Sequence, residues 1–371
     1  MNKSNVEIRL AQVIDGLRVG GAERHFASML NTIECESRIA VFFGRTSAEA
    51  SFYDTLDPAV EQHFLRIRRR RLPIDILRLA MLLRRSKCNV VHTHMFWANL
   101  YGSIAAKLAG IPVVVTTEHG ENPWKCNYHR WLERNVTSCL VDRRFCVSSS
   151  ILKKRRDLDR IPAELLTLTA NGTPIPPIAP ERTGKGPISI GAVGRFVRPK
   201  DYPRLLAAAA KLMNNGHNFR LYIVGDGPDL DSIQNLIDEL ELADIVVLPG
   251  LVTDITSYYN RFDIFVSSSL REGQPIALLE AMAHRLPIVA TDVGAVAETV
   301  QDGVCGIIVP PENADSLASA LEKLIVDKSL RQRFAKNARR RVEERYSIES
   351  VANFYLASYR DLLATKCGCG Q

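Results

Sequence analysis

The sequence predicts an α/β protein built of two doubly wound, parallel-sheet domains. Three observations carry this. Short apolar, β-branched runs alternate with longer helical patterns along the chain, as repeated strand–helix–strand units require. The runs are continuously apolar, so both faces of each sheet must be covered, which is the situation of parallel sheets. A stretch rich in Pro and Gly, NGTPIPPIAPERTGKGP (171–187), separates the runs into two sets.

In chain order, the first set is IRLAQVI (8–14), RIAVFF (38–43), NVVHTH (89–94), PVVVTT (112–117), RRFCVS (143–148) and LLTLT (165–169). The second is ISIGAVG (188–194), RLYIVG (220–225), IVVLPG (245–250), DIFVSSS (263–269), PIVATD (287–292) and GIIVPP (306–311). The expected boundaries are 1–172 for the first domain, 173–187 for a linker and 188–347 for the second domain. The tail SIESVANFYLASYRDLLA (347–364) reads as an amphipathic helix with Val351, Phe354, Tyr355, Ala357, Tyr359 and Leu362 on its apolar side. Open sheets of this type bind ligands at the carboxyl ends of their strands. Two such domains facing each other across a hinge would form a cleft lined from both.

The composition is that of a globular chain: 371 residues, 46% hydrophobic and 24% charged. No apolar run reaches the ~18 residues of a membrane span, and MNKSNVEIRLAQVIDGL lacks a signal-peptide layout. A cytoplasmic protein is expected. Its eight cysteines are scattered without CxxC pairs, which suits a reducing compartment. The net charge of +7 is uneven: residues 1–185 hold 28 basic and 18 acidic residues, and the remainder 20 and 23. The excess is densest over Arg66–Lys87, where nine cations meet one acid, Asp75. Leu72, Ile74, Ile76, Leu77, Leu79, Met81, Leu82 and Leu83 lie among them. This is either a solvated helix face or an interfacial helix that docks on anionic lipid. Nucleic acid is set aside, because no aromatic interleaving or nucleic-acid motif accompanies the arginines.

The most informative stretch is REGQPIALLEAMAHRLP (271–287). It begins in the loop at the carboxyl end of DIFVSSS and continues into a helix. Pro275 suits the first helical turn, and the open N–H groups there make an anion site. Glu272 stands at the mouth and Glu280 about one and a half turns along. A carboxylate accepts hydrogen bonds in pairs and so holds a vicinal diol. One anion between two diols describes a nucleotide sugar.

In GAVGRFVRPKDYPRLL (191–206), Arg195 and Lys200 emerge from the loop after a strand. Two cations there would neutralise a departing nucleoside diphosphate without a metal. GDGP (225–228) fits a tight strand-to-helix turn. In GLRVGGAERHF (16–26), Gly20 and Gly21 allow the backbone close to a ligand, or simply make a turn, before a helix opens. His92 and His94 lie two apart on a strand and share a side, with no third ligand at metal spacing. His119 follows the strand in VTTEHGENPW (115–124), and Asn171 within TANGTP (169–174) is a cap or turn residue.

These motifs resemble a family-4 glycosyltransferase of the GT-B fold, retaining type, over nearly the whole chain. The resemblance implies that Glu272 bonds the donor sugar and Glu280 the ribose. The backbone of Gly273, Gln274, Pro275, Ile276 and Ala277 would meet sugar and phosphates. Arg195 and Lys200 would stabilise the leaving group, and His119 would touch the sugar near the reacting centre. Gly20 and Gly21 match the family's GGAE loop, which contacts phosphate or acceptor. Asn171 matches its Asn-Gly at the start of the hinge. The last helix, 348–371, would cross back onto the first domain. No cofactor or metal is implied. The partners implied are a nucleotide-sugar donor, most commonly uridine-based, and a glycan or lipid-linked acceptor. The chain departs from the pattern at Gln274, where Phe or Leu is commoner, and at Asp201, where many members have Gly. The rival readings are a nucleotide-sugar epimerase, a non-catalytic partner subunit, and a metal-dependent regulator using His92, His94, Cys367 and Cys369.

Overall fold

The computed structural model describes residues 7–17, 20–43, 52–120, 122, 124–179, 186–252 and 254–368. The chain forms two compact units: Met1–Gly172 together with Ile348–Gln371, and Thr173–Ser347. Each unit has one sheet, and every pairing in both sheets is parallel.

In the first unit the strands are β1 (Arg9–Ile14), β2 (Ser37–Phe42), β3 (Glu61–Phe64), β4 (Val90–His94), β5 (Val113–Glu118), β6 (Arg143–Cys146) and β7 (Leu166–Leu168). Their spatial order is β3-β2-β1-β4-β5-β6-β7. In the second unit they are β8 (Ile188–Val193), β9 (Phe219–Val224), β10 (Val246–Val247), β11 (Ile264–Ser267), β12 (Ile288–Thr291) and β13 (Gly306–Val309), in the order β10-β9-β8-β11-β12-β13. Both are Rossmann-like, as the apolar runs predict. Chain direction through the sheet reverses between β1 and β4, and again between β8 and β11. At such switch points the loops diverge and leave a crevice outside the strand ends.

β3 is not legible in the sequence. It reads Glu-Gln-His-Phe and pairs only with β2 at the sheet edge, so backbone hydrogen bonding rather than apolar burial defines it. The run 245–250 contributes only the two residues of β10.

The helix Ile348–Gly368 belongs to the first unit, where Ile348, Val351, Tyr355 and Tyr359 pack on Leu10, Val90, Val113 and Phe145. Its buried stripe runs through Ile348, Val351, Ala352, Tyr355, Leu356, Tyr359 and Leu363. This corrects the expected apolar side in part. Ala357 faces solvent, off the i, i+3, i+4, i+7 track that meets the sheet, and Phe354 lies at the edge of that track, 41% exposed with its ring edge-on to Phe145 at 6.0 Å. Within the stripe, His92 Nδ1 bonds the Tyr359 hydroxyl at 2.6 Å, and His92 Nε2 bonds Thr117 Oγ1 at 2.7 Å. His92 is therefore a packed, satisfied residue.

The basic segment forms the helix Leu72–Arg85, preceded by a short 3-10 turn. Its apolar residues divide. Ile76, Leu79 and Leu83 enter the core, whereas Ile74, Leu77 and Met81 are exposed among Arg70, Arg71, Arg78, Arg84 and Arg85. Asp75 is buried and accepts the Arg68 backbone N–H at 3.0 Å. Among the described residues no helix is long and apolar enough to cross a membrane.

Beneath the loop after β5 lies a balanced group of buried charges. Lys125, Arg144 and Arg155 face Glu118, Glu133 and Asp159, all with side chains no more than 2% exposed. Glu118 receives Lys125 at 3.6 Å, Arg144 at 3.6 Å and Arg155 at 3.7 Å. Lys125 also pairs with Glu133, and Arg155 with Asp159. Burial works to raise the Glu118 carboxyl, but Lys125, Arg155 and Arg144 outweigh it and hold it down to about 2. Glu133 is pushed up instead, by burial and by Glu118 beside it.

The contact between His92 and Tyr359 yields the first test. Tyr359→Phe keeps the ring and leaves His92 Nδ1 without its buried partner, at a cost of about 1–3 kcal/mol. Denaturant unfolding should show a lower midpoint with an unchanged slope. An unchanged midpoint would mean that the bond contributes nothing to the seating of the last helix.

Candidate functional site

In the second unit the crevice between β8 and β11 receives two loops. The loop after β8 carries Arg195 and Lys200, and the loop after β11 carries Glu272. They are laced together by Leu270 N–H to Pro199 O (2.8 Å) and Ser268 Oγ to Lys200 O (2.9 Å). As a result, Lys200 Nζ donates to Glu272 Oε1 at 2.6 Å, and Ser269 Oγ donates to the same oxygen at 2.7 Å. Arg195 is exposed beside them in sequence.

The GDGP glycines explain how these loops come so close. Gly225 has φ +144, and a Cβ there would stand 2.0 Å from Gly194 O. A Cβ on Gly227 would stand 2.3 Å from Phe196 O. The turn after β9 therefore lies backbone to backbone against the turn that carries Arg195. Asp201 has φ 46 and ψ 48, a left-handed conformation that favours glycine. This is the physical reason a glycine suits the position; Asp is among the few side chains that tolerate it.

The helix Ile276–Ala283 starts one residue later than expected. Pro275 is its cap, with φ −72 and ψ 121, rather than part of its first turn. No side chain caps the opening N–H groups, which leaves the end suited to an anion. Glu280, five residues in, is buried and accepts the Tyr259 hydroxyl on Oε2 at 2.8 Å. Tyr259 also stacks on His284, with centroids 4.9 Å apart. Gln274 does not display its side chain: it is buried, and its Nε2 donates to Thr299 Oγ1 at 3.1 Å. What Gly273, Gln274 and Pro275 offer is therefore backbone. Gly273 O accepts Ala295 N–H at 2.7 Å. Gly294, at φ +58, would place a Cβ 2.3 Å from Glu272 O. Tyr259, Ser269 and Gly294 are site residues that the sequence reading missed. Only Gly294 had a signal, the turn residue after the strand run PIVATD.

In the first unit the switch point lies between β1 and β4. Gly20 caps the helix Gly21–Thr32 with an extended backbone that any residue could adopt. A Cβ there would stand 2.3 Å from a Glu23 carboxylate oxygen, the end of a flexible side chain that can turn away, so neither backbone nor packing demands glycine at this position. Gly21 is exposed at the helix start. Asp15, just beyond β1, is also new: burial, with a further push from Glu23 and opposition from an Ala98 backbone bond, raises its carboxyl to about 6.

Four histidines gather in this unit. His94 Nδ1 and His119 Nε2 are 3.0 Å apart with rings stacked at 5.3 Å. His25 meets His119 edge-on at 5.7 Å, and His92 lies 4.2 Å from His94. Gly172 N–H donates to His25 Nδ1 at 3.1 Å, and the buried Asn171 hydrogen-bonds His119. The structure thus brings His119 and Asn171 together and adds His25. Among the described residues no group of three His, Cys, Asp or Glu is placed to hold a metal ion; Cys369 lies outside them.

Burial holds all four imidazoles neutral, His25 down to about 3, His119 to about 4, and His92 and His94 well below 6.5. The unfolded chain takes up these protons near pH ~6.5, and the folded chain only at lower pH. Stability is therefore full above pH ~6.5 and falls as the pH drops towards 4, by ~1.4 kcal/mol per pH unit for each such group. The raised carboxyls of Asp15 and Glu133 offset part of this. Urea unfolding at pH 7.5, 6 and 5 should show the decline, and His25→Phe should reduce its slope by about one proton. Identical slopes in the two proteins would contradict the buried neutral state of His25.

Two family models lie end to end on the chain: "Glycosyltransferase Family 4" over residues 19–175 and "Glycosyl transferases group 1" over 178–341. The alpha-D-kanosaminyltransferase of Streptomyces kanamyceticus is 34% identical over 172 residues, 46% of this chain and 45% of that protein. The chain likewise spans about half (46%) of the capsular polysaccharide glycosyltransferase CapM of Staphylococcus aureus. The UDP-Gal:alpha-D-GlcNAc-diphosphoundecaprenol alpha-1,3-galactosyltransferase of Escherichia coli is 27% identical over 348 residues, 84% of this chain and 87% of that one. Among solved structures, a glycosyltransferase of Rickettsia africae aligns with a TM-score of 0.82 at 20% identity, covering 96% of this chain and 99% of that one. Anabaena HepE in complex with UDP-glucose aligns at 0.82 and 18%, covering 94% and 99%. At these identities the structures speak for the fold, and the family models for the lineage. The chain belongs to the family-4 glycosyltransferases and has the GT-B fold.

Proposed function

We propose that the protein is a retaining glycosyltransferase. It moves a hexose or N-acetylhexosamine from a nucleotide diphosphate sugar, a UDP-sugar by preference, to a glycan or lipid-linked acceptor, with no metal in the step. One observation carries the reading. Lys200 and Glu272 are hydrogen-bonded at the mouth of a helix without a side-chain cap, and Glu280 is held farther along it by Tyr259.

In this reading the diphosphate lies against the open N–H groups of Ile276 and Ala277, and Glu280 takes the ribose diol. Glu272 Oε1 orients Lys200, and Oε2 is then the oxygen for a sugar hydroxyl. Arg195 and Lys200 neutralise the β-phosphate as the C1–O bond to it breaks. The acceptor hydroxyl forms the new bond to C1 on the same face, and its proton passes to the departing phosphate oxygen, so no separate base is needed. His119, kept neutral by burial, meets the transferred sugar, and Asn171 positions it. Gly20 and Gly21 offer backbone to phosphate or acceptor. The names of two similar proteins support the donor and acceptor: the E. coli transferase is named for UDP-Gal and an alpha-D-GlcNAc-diphosphoundecaprenol acceptor, and HepE was crystallised with UDP-glucose.

A membrane-held acceptor also fits the helix Leu72–Arg85. Its exposed Ile74, Leu77 and Met81, bordered by arginines, form a face suited to the inner surface of an anionic membrane.

Donor binding and hydrolysis across UDP-, GDP- and ADP-sugars, in the presence of a chelator, test the core of the proposal. One donor should bind selectively. Glu280→Ala should weaken it about tenfold, the loss of one hydrogen-bonded charged group. Arg195→Ala should slow turnover by about 10²-fold, the usual effect of removing one electrostatic stabiliser. Equal behaviour of all three proteins would favour a non-catalytic partner subunit, and an inverted anomer in the product would refute retention. The membrane face is checked by flotation with phosphatidylglycerol vesicles. Wild type should float, and a variant with Ile74, Leu77 and Met81 changed to Ser should remain at the bottom; if neither floats, the acceptor is reached without this face.

A further inference from the structure

The chain has three tryptophans, and all of them, Trp97, Trp124 and Trp131, fall within 35 residues of sequence in the first unit. His129 stands among them. Its ring is 5.9 Å from Trp97, 5.2 Å from Trp124 and 5.9 Å from Tyr128. Trp124, Tyr128 and Trp131 are 51%, 63% and 50% exposed. Tyr128 and Trp131 lie three apart on the short helix Asn127–Leu132, so they share a face. Rings of this size are normally placed for burial or for a partner.

The patch is built rather than incidental. It rises from the carboxyl ends of β4 and β5, the same ends that carry His94 and His119. Met95, between His94 and the aromatic pair Phe96 and Trp97, has φ 74 and ψ 159, a region almost reserved for glycine, and such strain persists only where the surroundings enforce it. Directly after the exposed Trp124 comes the fully buried Lys125, fastened to Glu118 and Glu133. Glu133 begins a π-helical turn, Glu133–Thr137, immediately after the helix that carries Tyr128 and Trp131. Buried charges are costly to maintain, and here they hold the two segments that present the rings.

We propose that this patch is a carbohydrate platform on which a pyranose ring of the acceptor stacks. The proposal rests on the glycosyl-transfer reading above. A sugar has an apolar C–H face and a rim of hydroxyls. The exposed rings match the face, and Asn127 and Arg134, exposed and close to them in sequence, match the rim; Arg130 is instead paired with Asp159. Tryptophan and tyrosine also sit at lipid interfaces, so a lipid surface is the competing occupant that the vesicle titration below decides; the aliphatic face among cations at Ile74, Leu77 and Met81 lies on a separate helix.

Because no tryptophan lies elsewhere, the emission of the intact protein reports on this patch alone. It is titrated with the methyl glycosides of glucose, galactose, mannose and N-acetylglucosamine, and separately with phosphatidylglycerol vesicles. At least one glycoside should change the emission saturably. Trp124→Tyr should keep its affinity within a few-fold, and Trp124→Ala should weaken it about tenfold, the loss of one stacked ring. Circular dichroism shows whether each variant is folded, and Trp124 is solvent-exposed. The proposal is overturned if no glycoside alters the emission, if only vesicles shift it to the blue, or if Trp124→Ala binds sugar as the wild type does. Donor hydrolysis by the unaltered protein, measured alongside, tests the transfer reading by itself. Sugar binding without donor hydrolysis would retain the platform and discard that reading.

Discussion

Parallel strands cannot be joined by tight turns, so successive strands of each sheet are joined by long crossovers, most of them through a helix. All such loops leave from the same edge of the sheet. Where the winding direction reverses, two neighbouring loops part and a crevice opens. Both units obey this constraint, and the candidate site residues nearest each reversal follow from it. Arg195 and Lys200 leave β8, and Glu272 leaves β11, its neighbour across the reversal. Asp15 and Gly20 leave β1, and His94 ends β4. Residues more than 70 positions apart in sequence, such as Lys200 and Glu272, meet at 2.6 Å because their strands are adjacent.

Close approach of backbones then sets the fine geometry. The loops around Arg195 and Glu272 are held by main-chain contacts that leave no room for a Cβ at Gly225, Gly227 or Gly294. Side chains come second. Ser268 and Ser269 bind the Lys200 carbonyl and the Glu272 carboxylate, and Tyr259 secures Glu280 from behind. A carboxylate with a fixed partner loses little freedom when a ligand arrives, which favours affinity and orientation together.

The first unit solves a different problem. It buries four imidazoles and three ion pairs, groups that water would otherwise solvate. The imidazoles remain neutral, and the charges are balanced three against three. Such arrangements seldom add net stability over apolar packing, but they define one geometry sharply. They lie under the loop after β5, which carries both His119 and the exposed Trp124.

The apolar runs already contained the two Rossmann-like sheets, since a strand covered on both faces must be apolar throughout. The spacing of Glu272 and Glu280, and the cations at Arg195 and Lys200, were equally legible, because charge and loop position are local properties. Other features depend on distant partners and leave no local trace. β3 exists through pairing with β2, not through its own Glu-Gln-His-Phe. The buried side of the last helix depends on how it meets Leu10 and Val113, so Ala357 looked apolar yet faces solvent, and Phe354 is left at the rim. Gln274 turns inward to Thr299, and Asp201 adopts a left-handed backbone that its identity does not announce. Tyr259 has no motif, and its role appears only when its hydroxyl reaches Glu280. Periodicity and charge are written one residue at a time, whereas partnership between residues far apart comes into being only when the chain folds.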